Sequence, residues 1–144
     1  MAIDITNRSG IAYSEEDLAS LFEFGMSQLG LNPDCDLDVL LVDEAEMTDL
    51  HIKWMDEPGP TDVLTFPMDE IRPHSLEAGM LGDIVLCPQV AIRQAESANH
   101  TFTHEISILG IHGLLHIVGY DHANKEDEIE MFDLQESIVA RWSK

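Results

Sequence analysis

The stretch His112-Gly113-Leu114-Leu115-His116-Ile117-Val118-Gly119-Tyr120-Asp121-His122 decides how the rest of the chain is read. His112 and His116 are four residues apart, so on an α-helix they stand one turn from each other on the same face, close enough to share one ion. Gly119 offers that helix a left-handed stop without a Cβ penalty, and a chain folding back there brings His122 toward the first pair. Zinc uses three protein donors and an open position for catalysis, whereas structural zinc sites close all four. The stretch therefore predicts His112, His116 and His122 as ligands through neutral imidazole nitrogens, with room for water beside them. Three histidines at these offsets, among seven in 144 residues, are a more specific signal than any one of them.

Upstream of these ligands, Thr101 or Thr103 caps the metal-bearing helix, which runs to about Val118. Pro88 suits the first position of another helix, through about Ala98. Leu81 to Cys87 reads as an apolar strand, and Thr61 to Phe66 as a β-branched and aromatic one halted by Pro67. The polar loop between them, Asp69 to Gly79, has the length of a substrate-channel wall. Asp43 caps a helix from Glu44 to about Met55 that Pro58-Gly59-Pro60 stops. Leu37 to Val42 is a covered strand. Residues 1 to 7 alternate as an opening strand, and Ser14 caps a helix of Leu18, Leu21, Phe22, Gly25 and Leu29 that Gly30 closes. After His122, Asn124 with Asp127 begins a last amphipathic helix carrying Ile129, Phe132, Ile138, Val139 and Trp142. This order predicts one α+β domain over residues 1–144, with a mixed sheet of about four strands packed by about five helices.

Hydrophobic residues make up 44% of the chain, enough for a core at this length without staples. Cys35 and Cys87 have no CxxC partner, which argues against a thiolate zinc site or a disulfide framework. The sequence has no apolar run near 18 residues and no basic, apolar leader, so a cytoplasmic protein without a membrane partner is expected. Seven basic against 28 acidic residues give a net charge of −21, which repels a phosphate backbone at long range. Composition alone speaks against a nucleic-acid partner. Either the acidic face is solvated and phosphates enter only at the metal and a few cations, or that face docks on basic proteins.

As a pattern the stretch is HxxxHxxGxxH, the metzincin zinc signature with one substitution. Gly113 stands where those proteases carry their general-base glutamate, so the ligand spacing is present without the protease base. A metalloprotease-like hydrolase remains an alternative on the spacing alone.

HGLLHIVGYDH also resembles the signature of the YbeY family. GPTDVLTFPMDE at Gly59 to Glu70 and LGDIVLCP at Leu81 to Pro88 resemble that family in the same order, from end to end of the chain. The resemblance implies a zinc-dependent, single-strand-specific endoribonuclease that matures the 3′ end of 16S rRNA and supports ribosome quality control. It further implies one Zn²⁺ per chain, with precursor rRNA and the small ribosomal subunit with its basic proteins as partners. Nickel or another transition ion suits imidazole donors as well. A third reading is a non-catalytic ribosome-assembly factor with a structural metal.

The chain departs from the family pattern YRxxDxPTDVLSFP. Its aligned positions are Trp54, Met55 and Pro58, so the arginine associated with activity is replaced, and Lys53 or Arg72 is the cation left to reach the site. Thr61, Asp62 and Thr65 fall on a strand that the resemblance places near the cleft. Asp121 serves either a ligand imidazole or the turn amides. Glu105 shares the helical face of His112 two turns away, either as a channel carboxylate or as an ordinary helix-face residue. His104 is one position off that face, and His51, His74 and His100 have no ligand spacing.

Overall fold

Side-chain alternation sets the sheet. In β2 (Asp36–Leu41) Leu37, Val39 and Leu41 are buried, while Asp36, Asp38 and Leu40 turn to the other face. β1 (Ala2–Asn7) lies parallel to β2 on one side and β4 (Met80–Leu86) parallel on the other. β3 (Val63–Pro67) closes the order β1-β2-β4-β3 as an antiparallel edge strand. Among the described residues this is the expected mixed sheet of four strands, with five helices. The computed structural model describes residues 2–57 and 59–143. Met1 of the opening strand, Pro58 of the stop after the second helix and Lys144 lie outside the described residues.

The helices begin where short polar side chains can hold their first amides. Ser14 accepts from Asp17 N at the start of α1 (Glu15–Gln28), and Asp43 from Glu46 N at α2 (Glu44–Met55). Asn124 accepts from Asp127 N at α5 (Lys125–Trp142). α3 (Pro88–Ala98) begins with its proline in the first turn. Thr101, not Thr103, caps α4 (Phe102–Ile117), accepting from His104 N at 3.1 Å. Thr103 instead offers its carbonyl to the Ser107 hydroxyl.

One sheet face is covered by α1, α4 and α5, which bury Leu18, Phe22, Ile111, Leu114, Met131 and Ile138 with Leu37, Val39 and Ile84. The other face carries a smaller cluster of Val42, Met47, Leu64, Val85, Cys87 and Val90, with Leu50 of α2 packed against it. α1 backs onto α4 without spare room: a Cβ on Gly25 would lie 2.9 Å from both Ile111 Cδ1 and Leu114 Cδ2.

Several boundaries differ from the sequence reading. β3 starts at Val63, because Asp62 Oδ1 accepts the Val63 amide at 2.7 Å and holds Thr61 and Asp62 in a turn ahead of the strand. Cys87 leaves β4 to become the residue before α3. Ile129 is half exposed at 52%, where the apolar stripe of α5 had placed it inward.

Candidate metal centre

α4 delivers two ligands on one face. His116 Nε2 lies 3.1 Å from His112 Nε2, with the rings edge to face. The helix ends at Ile117 with Val118 as its C-cap, and Gly119 takes φ +106°, a backbone conformation that side chains with a Cβ rarely adopt. That reversal returns His122 to 5.2 Å from the His116 ring and 5.9 Å from the His112 ring. One nitrogen from each of the three rings falls within a 4.8 Å set. Tetrahedral Zn–N bonds of about 2.0–2.1 Å separate two donors by roughly 3.3 Å, close to the observed pair.

The donor chemistry fits a cation. His112 Nδ1–H donates to Gln135 Oε1 at 2.7 Å, which leaves the Nε2 lone pair of that ring aimed at His116 Nε2. Burial holds both imidazoles below their ordinary pKa. For His112 the Gln135 hydrogen bond and the Asp62 charge oppose that shift, and for His116 the neighbouring His112 and His122 deepen it. Neutral rings with converging lone pairs are what a transition ion requires. Phe132 lies over His112 at 5.8 Å and over His122 at 6.4 Å, nearly parallel to both.

The three histidines open into a cavity of about 310 Å³ whose other walls include Met55, Asp62, Val63 and Thr65. Asp62 and Thr65 therefore stand at the site, and Asp62 is fixed there by the Val63 amide and by Gln94 Nε2 at 3.2 Å. Thr61 is one step back, its hydroxyl 3.4 Å from Asp62 Oδ1. Asp121 accepts the His122 backbone amide at 2.7 Å, so it shapes the turn.

The remaining candidates are elsewhere. Glu105 is buried at the other end of α4 with its carboxylate 3.4 Å from His100 Nδ1. Lys53 sits 5.1 Å over the Trp54 ring. Arg72 pairs with Glu70 and packs against Gly119 on the far side of the turn, where a Cβ on the glycine would strike its guanidinium. None of the three lines the histidine cavity, and Met55 occupies its wall.

Gln135 and Phe132 are the site residues that sequence reasoning missed. Gln135 is 5% exposed on a stripe with Met131 and Ile138, and a lone amide at an apolar helical position is a legible sign of a polar partner. Gly113 faces the sheet: a Cβ there would lie 3.1 to 3.3 Å from Ile84, Thr65 and Val63 methyls. A side chain at that position would crowd the sheet, and the glycine brings no carboxylate to the histidines, so the general base of a metzincin-type protease is absent.

The family model described as Endoribonuclease YbeY matches residues 4–143. An Endoribonuclease YbeY of Thermobifida fusca is 52% identical over 148 residues, covering 100% of this chain and 96% of the relative. One of Mycobacterium tuberculosis is 50% identical over 148 residues, covering 99% of this chain and 84% of its own length. The solution structure of a Thermotoga maritima protein matches with a TM-score of 0.70 at 30% identity, over 97% of this chain and 88% of that one. Shared along almost its whole length, and at about half of its positions with the first relatives, this chain belongs to the YbeY family.

Proposed function

We propose that the protein is a metal-dependent endoribonuclease that cuts single-stranded RNA, matures the 3′ end of small-subunit rRNA and serves ribosome quality control. The observation that carries this reading is the convergence of the His112 and His116 Nε2 atoms at 3.1 Å beside an open cavity, in a chain whose relatives are named endoribonucleases. His112, His116 and His122 hold one Zn²⁺. When bound, that ion supplies Lewis acidity toward a phosphodiester and makes water acidic enough to attack near neutral pH. Gln135 keeps the His112 proton on Nδ1, so the opposite nitrogen is always the donor. Asp62, tethered by the Val63 amide and by Gln94, is a fixed acceptor in the cavity wall.

The test compares metal-loaded wild type with His116→Ala on an unstructured RNA oligomer. The wild type should cut in a chelator-sensitive way and the variant should lose both metal and cutting; equal cutting by the two would end the reading. Accumulation of precursor rRNA on depletion, without cutting of RNA, would leave the assembly-factor role instead.

Met55, 44% exposed beside the histidines, leaves the cavity wall without the guanidinium that the pattern YRxxDxPTDVLSFP implies there. Met55→Arg should therefore raise RNA affinity, by about tenfold for one added phosphate contact, seen as a lower KM at unchanged metal content.

The partners follow from charge. Asp4, Asp38 and Asp83 are aligned across β1, β2 and β4, and this acidic sheet face supports docking on basic proteins of the small subunit. That docking should weaken as salt rises. Among the described residues no helix is long and apolar enough to cross a membrane, and an rRNA substrate places the protein in the cytoplasm.

A further inference from the structure

On the far side of the Gly119 turn lies a second cavity, of about 380 Å³, lined in part by Arg72, Tyr120, Asp121, Asp127 and Glu130. It adjoins the metal centre along the chain, since Tyr120 and Asp121 border it and His122, the next residue, borders the first cavity. We propose that this second cavity seats one base of the RNA strand beside the nucleotide held at the histidines, and that it selects guanine. The assignment rests on the endoribonuclease reading and adds to it a subsite and a base preference.

Planar groups border the cavity. The Arg72 guanidinium packs on Gly119, which can accept it there only because it has no Cβ, and the half-buried Tyr120 also lines the cavity. Guanidinium planes and aromatic rings are the surfaces on which single-stranded bases stack. The volume falls within the range of small-ligand pockets, about 300–1,000 Å³.

The charges decide which part of a nucleotide enters. Three exposed carboxylates line the cavity with one arginine that is already paired with Glu70 at 2.7 Å. Such a cavity repels phosphate and admits a neutral base. Carboxylates accept hydrogen bonds and donate none when ionised. Guanine presents N1–H and its exocyclic amine side by side, a match for the two oxygens of one carboxylate. Adenine sets an acceptor beside its amine, and uracil sets carbonyls on both sides of its N–H. Asp121 is committed to the His122 amide, and Asp127 is hydrogen-bonded to Asn124 at the start of α5. Glu130 is therefore the carboxylate that meets the base.

The experiment titrates full-length protein with guanosine and with adenosine, neither of which carries a phosphate, while amide shifts of Gly119, Tyr120 and Glu130 are followed by NMR. Guanosine should bind at least about tenfold more tightly, the discrimination expected of one bidentate pair. Glu130→Gln should bring the two nucleosides within about threefold of each other, whereas Tyr120→Leu should weaken both alike. Equal binding of both nucleosides by wild type, or an unchanged ratio in Glu130→Gln, overturns the proposal. Metal-loaded wild type is assayed in parallel on oligomers rich in guanine or in adenine. Failure to cut either oligomer refutes the nuclease reading itself, while equal cutting of both refutes only the subsite.

Discussion

Two groups of like ionisable side chains lie in this molecule, and they solve the problem of crowding in opposite ways. His112, His116 and His122 sit at the end of a helix and its turn, with one nitrogen of each pointing inward to a common point. Asp4, Asp38 and Asp83 stand in register on three neighbouring strands, about 4.8 Å apart by sheet geometry and directed alongside one another. His112 and His116 escape mutual repulsion by favouring the neutral form, because burial holds down their pKa. The carboxyl of Asp38 is pushed up instead, first by burial and then by Asp83 and Asp4. Proximity of like groups thus says little about ion binding. What separates the two sets is convergence of donor atoms together with a partner, here Gln135, that fixes where the proton sits.

The most severe test of this contrast is metal content. His112→Ala, His116→Ala and His122→Ala should each lower zinc affinity by more than about a hundredfold, since loss of a supporting partner alone costs 10- to 100-fold. Asp38→Asn should leave bound zinc unchanged. Stoichiometric metal in all three histidine variants, measured by elemental analysis, would erase the distinction. Next in size, Gln135→Leu should weaken zinc binding by about 10- to 100-fold while the ligands remain in place. Competition with a chromogenic chelator reads that change, and wild-type affinity would show that the tautomer needs no fixing.

Acidification separates the groups by sign. The folded pKa values of His112 and His116 lie below the ordinary 6.5. The unfolded chain therefore binds more protons as pH falls below that value, and stability present above it is lost. Thermal unfolding of chelator-treated protein should show a falling Tm from pH 7 toward pH 5. Asp38 behaves inversely: its folded pKa lies above the ordinary 3.8, so its contribution is favourable below 3.8 and is lost as pH rises through the folded value. The smallest effect follows, with Asp38→Asn stabilising the protein by about 0.5 kcal/mol at pH 7, within the range for a like-charge cross-strand neighbour. Urea unfolding at pH 7 and near pH 3 should find that gain at the first and none at the second.

Legibility in the sequence followed locality. Ser14, Asp43, Thr101 and Asn124 cap their helices through amides three residues on, so those starts could be read from a few letters. The histidine trio was legible for the same reason, being spaced by one helical turn and one glycine. Gln135 and Phe132 come from α5 and meet His112 only through tertiary packing, which leaves in the sequence no more than a polar letter on an apolar stripe. Glu105 shows the converse error. A shared helical face placed it with His112, but two turns are about 10 Å of helix, and its carboxylate faces His100 instead. Arg72 was named for its charge, and the loop between β3 and β4 carries it behind the turn.

The contact of α1 with α4 at Gly25 has a mechanical consequence. Packed this closely from behind by α1, α4 has little room to shift away from the cavity, so the histidine wall acts as an anvil. A single methyl at position 25, far from any substrate, would press on Ile111 and Leu114, the neighbours of His112 along the same helix, and would be felt as altered metal retention.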